Sequence, residues 1–98
     1  MRRPLVVGNW KMNGSRPANA ELLSALRASR PYAADVAVCV PFVYLTDTAA
    51  SLAGSDITWG SQDVSQHAEG AYTGEVSVGM LAEFGCRYAL VGHSERRA

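Results

Sequence analysis

Four short apolar runs, separated by stretches with helical spacing, constrain this chain more than any other feature. Leu5-Val6-Val7-Gly8-Asn9 is apolar until its last residue and reads as a strand buried on both faces. Val36-Ala37-Val38-Cys39-Val40 is a second strand, stopped by Pro41. Ile57-Thr58-Trp59-Gly60 is a third, weaker one, and Tyr88-Ala89-Leu90-Val91 is a fourth. Between the first two, Asn13-Gly14 marks a turn, Ser15 can cap a helix and Pro17 suits its first turn. Leu22, Leu23 and Leu26 lie on one helical face, with Glu21 near the start, Arg27 and Arg30 near the end and Pro31 closing it. Tyr44 to Leu52 is helix-like and ends at Gly54. Ser77 can cap a short helix through Phe84, with Met80, Leu81 and Phe84 on one face and Gly85 as its stop.

The resulting order is β-α-β-α-β-α-β. Continuous apolar strands alternating with helices imply a parallel α/β sheet with right-handed crossovers. The strand starts are unevenly spaced, so there are repeated units but no sequence repeat. At 98 residues, the chain is expected to form one unit over residues 1–98.

Charge and cysteine usage narrow the function classes. Nine basic and nine acidic residues cancel, which gives no general attraction to nucleic acid or to an anionic membrane, so any anion site has to be local. The longest uncharged apolar stretch, Val36 to Leu45, contains Pro41 and is far shorter than the roughly 18 residues of a membrane span. No signal-peptide core follows Met1-Arg2-Arg3-Pro4. Cys39 and Cys86 have no metal-type or redox-motif spacing and read as reduced, small buried residues of a cytoplasmic chain. Two histidines and two cysteines without ligand spacing argue against zinc. The glycine-rich nucleotide fingerprints are absent too, which disfavours an unrelated small phosphate-binding domain.

In parallel α/β folds, ligands bind at the carboxyl ends of the strands. After the first strand come Asn9 and Lys11; after the fourth come His93, Ser94 and Glu95. The ends of the second and third strands, Pro41-Phe42 and Gly60-Ser61-Gln62, offer little chemistry. Lys11 is the only lysine. It supplies a compact positive charge, and Asn9 beside it a directed donor, which together suit an oxyanion or phosphate. A solvated loop lysine fits the same spacing. His93 reads equally as a general acid or base, a metal ligand, or a hydrogen-bonded structural histidine. His67 sits mid-loop and reads as solvent-facing. Ser61 to Gly74 is a 14-residue polar stretch, longer than ordinary connections, and reads as functional or held by a partner.

Three segments together resemble the triosephosphate isomerase family: Asn9-Trp10-Lys11-Met12-Asn13-Gly14, Gly70-Ala71-Tyr72-Thr73-Gly74-Glu75 and Gly92-His93-Ser94-Glu95-Arg96-Arg97. The resemblance covers essentially the whole chain. It implies the amino-terminal half of a (β/α)8 barrel and a cofactor-free enzyme of glycolysis and gluconeogenesis. That enzyme interconverts dihydroxyacetone phosphate and glyceraldehyde 3-phosphate through an enediolate. By the same resemblance, Lys11 holds the substrate electrostatically, Asn9 donates to a substrate oxygen and His93 polarises the carbonyl, while Glu95 and Ser94 support the site. The resemblance also implies a homodimer in which the 61–76 loop docks on a second subunit, Thr73 near the partner's Asn9 and the partner's Lys11 and Glu75 paired with Arg96 across the interface.

The departure from the family is length, since a (β/α)8 barrel takes about 250 residues. No residue here matches the family's carboxylate base, and Glu75 and Glu95 match other positions. The expectation is a half-barrel with two open edges that needs a complementary half, in cis or in trans, and has negligible activity alone. A half-barrel serving as a non-catalytic assembly module is the alternative.

Overall fold

The computed structural model describes residues 3–93. Its elements are β1 (Leu5–Asn9), α1 (Arg16–Ala28), β2 (Asp35–Val40), a 3₁₀ turn (Phe42–Tyr44) running into α2 (Leu45–Leu52), β3 (Thr58–Ser61), α3 (Val78–Glu83) and β4 (Tyr88–Ala89). The strands form one parallel sheet in the order β1-β2-β3-β4. Each crossover advances the sheet by one strand in the same direction. Right-handed crossovers of that kind place every helix on one face, whereas a doubly wound sheet reverses direction and covers both. The sheet is therefore half of a (β/α)8 barrel wall, as expected.

Paired residues in a parallel register share a face, and the faces alternate along each strand. Gly8, Val38 and Trp59 form one row facing the helices, while Asn9, Cys39, Gly60 and Tyr88 form a row on the opposite face. On the helix side, Val38 and Val40 pack with Leu23 of α1, Leu45 and Leu52 of α2 and Leu81 of α3. Each large apolar side chain buried this way contributes about 1.5–3 kcal/mol. Both caps form where the sequence places them. The Ser15 Oγ accepts from the Ala18 amide at 3.3 Å, and the Ser77 Oγ accepts from the Met80 amide at 3.2 Å.

Several expectations need correction. β1 is exposed along its whole length, with Val6 at 56% and Val7 at 36%. It lies at the sheet edge, so only β2 covers one of its sides. Leu22, Met80 and Phe84 are exposed, and Leu23 and Leu81 are the buried apolar residues of their helices. A helix laid on a sheet buries a narrow stripe, and residues one position off it face away. α1 ends at Ala28, before Arg30 and Pro31, and Glu21 lies beyond its first turn. Arg27 serves the neighbouring helix: its Nη1 donates to the Ser51 and Ala53 carbonyls, both at 2.8 Å, satisfying the carboxyl end of α2. Cys39 is buried but Cys86 is only half-buried. β4 is two residues long, although the Leu90 amide still donates to the Ser61 carbonyl at 3.0 Å.

The long loop after β3 is tied by its own bonds. The Ser65 amide donates to the Val76 carbonyl at 2.8 Å, and the Ser65 hydroxyl donates to the Glu75 carboxylate at 2.6 Å. His67 is not a bare solvent-facing residue; its ring stacks on Tyr72 with centroids 3.8 Å apart. Among the described residues, no helix is long and apolar enough to cross a membrane, and no cluster of three or more metal-type ligands is present.

Candidate functional site

The parallel sheet brings the ends of β1, β3 and β4 to one rim, and the polar residues just beyond them meet there. Asn9 closes β1, and the chain turns sharply at Lys11, the one non-glycine residue with positive φ (53°) among those described. L-residues enter this left-handed region at a cost, and such residues gather at functional sites. Side chains hold both polar groups of the Lys11 backbone. Its amide donates to the Asn9 Oδ1 at 2.9 Å, and its carbonyl accepts from the Gln62 Nε2 at 2.7 Å. Because Asn9 spends its oxygen on Lys11, its NH2 remains the group that can donate outward. Both Asn9 and Lys11 are exposed.

His93, half-buried just beyond β4, directs its Nε2 at the backbone carbonyl of Gln62. A carbonyl only accepts, so Nε2 carries the hydrogen in this contact. Gln62 thus touches Lys11 through its side chain and His93 through its backbone. The same Gln62 amide also donates to the Cys39 carbonyl at 3.3 Å, tying the group to the end of β2. Gln62 stands at a strand end that offers little chemistry by sequence alone. The available signal was its place, one residue beyond β3 on the rim where Lys11 and His93 lie.

The Asn13 amide bonds the Trp10 carbonyl at 2.9 Å, and the Tyr44 hydroxyl bonds the Gly14 carbonyl at 3.1 Å, so the loop carrying Lys11 is anchored along its length. Burial raises the thiol pKa of Cys39, beside Asn9 in the same row of the sheet, and keeps it protonated.

The remaining sequence-predicted residues fall elsewhere. Thr73 and Glu75 are exposed on the long loop, and Glu75 is engaged by Ser65. Ser94, Glu95 and Arg96 lie outside the described residues. A cleft of about 490 Å³ lies beside this group and is bordered by Phe42, Asp63, Val76 and Val91. Its charged lining residues, Asp63 and Glu75, are acidic.

Comparison with known proteins agrees with the barrel geometry. The triosephosphate isomerase family profile matches residues 4–98. The chain is 64% identical over 97 residues to the triosephosphate isomerase of Bordetella pertussis, covering 98% of this chain and 39% of that protein. It is 60% identical over 99 residues to that of Nitrosococcus oceani, covering 99% of this chain and 40% of that protein. The Thiobacillus denitrificans enzyme is 56% identical over 98 residues, with 100% of this chain and 39% of that protein covered. The chain therefore spans about two-fifths of the length of the curated relatives it matches.

Proposed function

Since the chain belongs to the triosephosphate isomerase family, we propose that it forms the amino-terminal part of an isomerase that interconverts dihydroxyacetone phosphate and glyceraldehyde 3-phosphate. The proposed setting is the glycolysis and gluconeogenesis of the cytoplasm. The observation that carries this reading is the convergence of Asn9, Lys11 and His93 on one rim through Gln62.

Aldose–ketose isomerisation moves a proton between adjacent carbons and places negative charge on the carbonyl oxygen in between. A fixed ammonium and oriented N–H donors stabilise that charge without a cofactor. Lys11 attracts the phosphorylated substrate and offsets the developing charge. Asn9 donates its free NH2 to a substrate oxygen. His93 supplies its Nε2 hydrogen to the enediolate oxygens, exchanging the Gln62 carbonyl for the substrate as acceptor. Glu95 and Ser94 support this group.

The carbon proton needs a carboxylate base, and none of these 98 residues matches the family's. This stretch alone is therefore inactive, and turnover requires the complementary half. In the assembled homodimer the 61–76 loop docks on a partner subunit, with Thr73 near the partner's Asn9 and Glu75 meeting Arg96.

The test joins this chain to the remaining three-fifths of a relative and assays triose phosphate interconversion. Activity is expected in the joined protein and not in the 98-residue chain, and Lys11→Met abolishes it. A joined, folded and inactive protein overturns the reading. Thr73→Arg should convert the joined dimer to monomers by sedimentation; an unchanged dimer rejects the docking role.

A second reading, a non-catalytic assembly module, is favoured by one observation: Leu5, Val6 and Val7 present an exposed apolar edge strand. It predicts stable association with the complementary half but no turnover.

A further inference from the structure

We propose that His67 is a positioning residue for partner docking: its ring, stacked on Tyr72, holds the tip of the 61–76 loop in its docking shape before a partner arrives. This deepens the homodimer reading and rests on it for its association arm. The two ends of the loop are fixed by the fold. Val64 and Val76 pack against the core, and the Ser65 amide donates to the Val76 carbonyl at 2.8 Å. Beyond them, every residue from Ala68 to Glu75 is exposed, so the tip has to be shaped by its own contacts.

Those contacts meet at two rings. The His67 and Tyr72 rings lie parallel, with 1° between their planes and centroids 3.8 Å apart. A Cβ on Gly70 would come within 2.9 Å of the Tyr72 Cε2, so the tyrosine ring lies close against the turn between the two. The stack sets the spacing of residues 67 and 72. One bond carries that spacing onward: the Glu75 amide donates to the Tyr72 carbonyl at 2.9 Å, closing the turn that bears Thr73. On the other side, the His67 amide donates to the Ser65 Oγ at 3.0 Å. That bond uses the backbone of His67, so replacing the imidazole removes the stack and leaves the bond chemically intact. A loop ordered in advance loses less freedom on docking, and the difference appears as affinity.

The test has two arms. In the 98-residue chain, kept monomeric by dilution, His67→Ala should speed hydrogen exchange at the Glu75 amide. The Trp10 amide, which donates to the Cys39 carbonyl, should exchange as before. His67→Phe keeps a flat ring and should restore the exchange of the unaltered chain. In the joined protein, His67→Ala should weaken the dimer by sedimentation. An aromatic pair is worth about 2- to 10-fold beyond the area it buries. Each subunit presents one loop, so the factor enters twice and the dissociation constant should rise by about 4- to 100-fold, with phenylalanine again restoring it. If Thr73→Arg leaves the dimer intact, the docking reading fails and takes the docking role with it, while the exchange arm still decides whether the stack shapes the tip. If Glu75 exchange is unchanged in His67→Ala, or if phenylalanine restores nothing, the proposal is overturned. It is overturned equally if His67→Ala leaves the dissociation constant within about twofold in a dimer that Thr73→Arg takes apart.

Discussion

β1 and β2 are adjacent, parallel and similarly apolar, yet Ala37 to Val40 of β2 are buried and all of β1 is exposed. Composition does not separate them; position does. β2 has neighbours on both sides and the α1–α2 layer over one face, whereas β1 has β2 and nothing beyond it among the described residues. The apolar character of β1 is therefore matched to neighbours that these residues do not supply.

The sharpest way to test this contrast is by truncation. Leu52→Ala, at a fully buried position, should cost about 2–5 kcal/mol by urea denaturation. Val6→Ala, at 56% exposure, should stay within about 0.5 kcal/mol in this chain. In the joined protein, Val6→Ala should become markedly more costly if β1 acquires its missing cover. An equal cost in both settings would break the comparison.

Two glycines repeat the contrast at smaller scale. A Cβ built on Gly60 of β3 would lie 2.2 Å from the Tyr88 carbonyl oxygen, a backbone atom that can yield only by separating β3 from β4. On Gly8 of β1, the nearest atoms would be 3.9 Å away. Gly60→Ala should cost about 1–3 kcal/mol and speed hydrogen exchange at the Leu90 amide, which bonds Ser61. Gly8→Ala should leave that exchange unchanged.

The thiols offer a third comparison. Cys39 is fully buried on the inner row, and Cys86 is half-buried beyond α3. Burial raises both thiol pKa values, with the neighbouring Cys86 adding to the shift at Cys39. Near neutral pH both should react slowly with thiol reagents, and Cys86 before Cys39. Labelling of Cys39 first would mean that the sheet opens from its inner face.

What the sequence made legible follows the same division. Elements whose signals are local came through: the Ser15 and Ser77 caps and the apolar run that became β2. The candidate rim was readable as strand ends bearing Asn9, Lys11 and His93. Burial was not readable, because Leu22 and Leu23 have identical chemistry and differ only in the direction they face. Gln62 was invisible for a related reason. Its partners lie 51, 23 and 31 residues away in sequence, and no spacing rule anticipates a contact set by sheet order. Arg27 likewise looked like a companion to its own helix dipole until the fold brought the end of α2 to it.

The smallest expected effect lies on the helical side, where Arg16 of α1 grips Asp47 of α2 with two bonds, Nε to Oδ2 at 2.7 Å and Nη2 to Oδ1 at 2.9 Å. The hydrogen bond and the charge of Arg16 lower the Asp47 pKa from its ordinary value. A carboxyl whose folded pKa is depressed adds stability that is present above its unfolded value, about 3.9, and is lost as pH falls through the folded one. Because the pair is open to water, the change in melting should be slight. The titration itself is the clearer readout. Arg16→Gln should move the Asp47 midpoint upward in a carboxyl NMR titration, and the melting curves of the two proteins should converge in acid. An unmoved midpoint would mean that the Arg16–Asp47 pair contributes nothing, leaving Arg27 and the apolar contacts of Leu23, Leu45 and Leu52 to set the helix layer that β2 enjoys and β1 lacks.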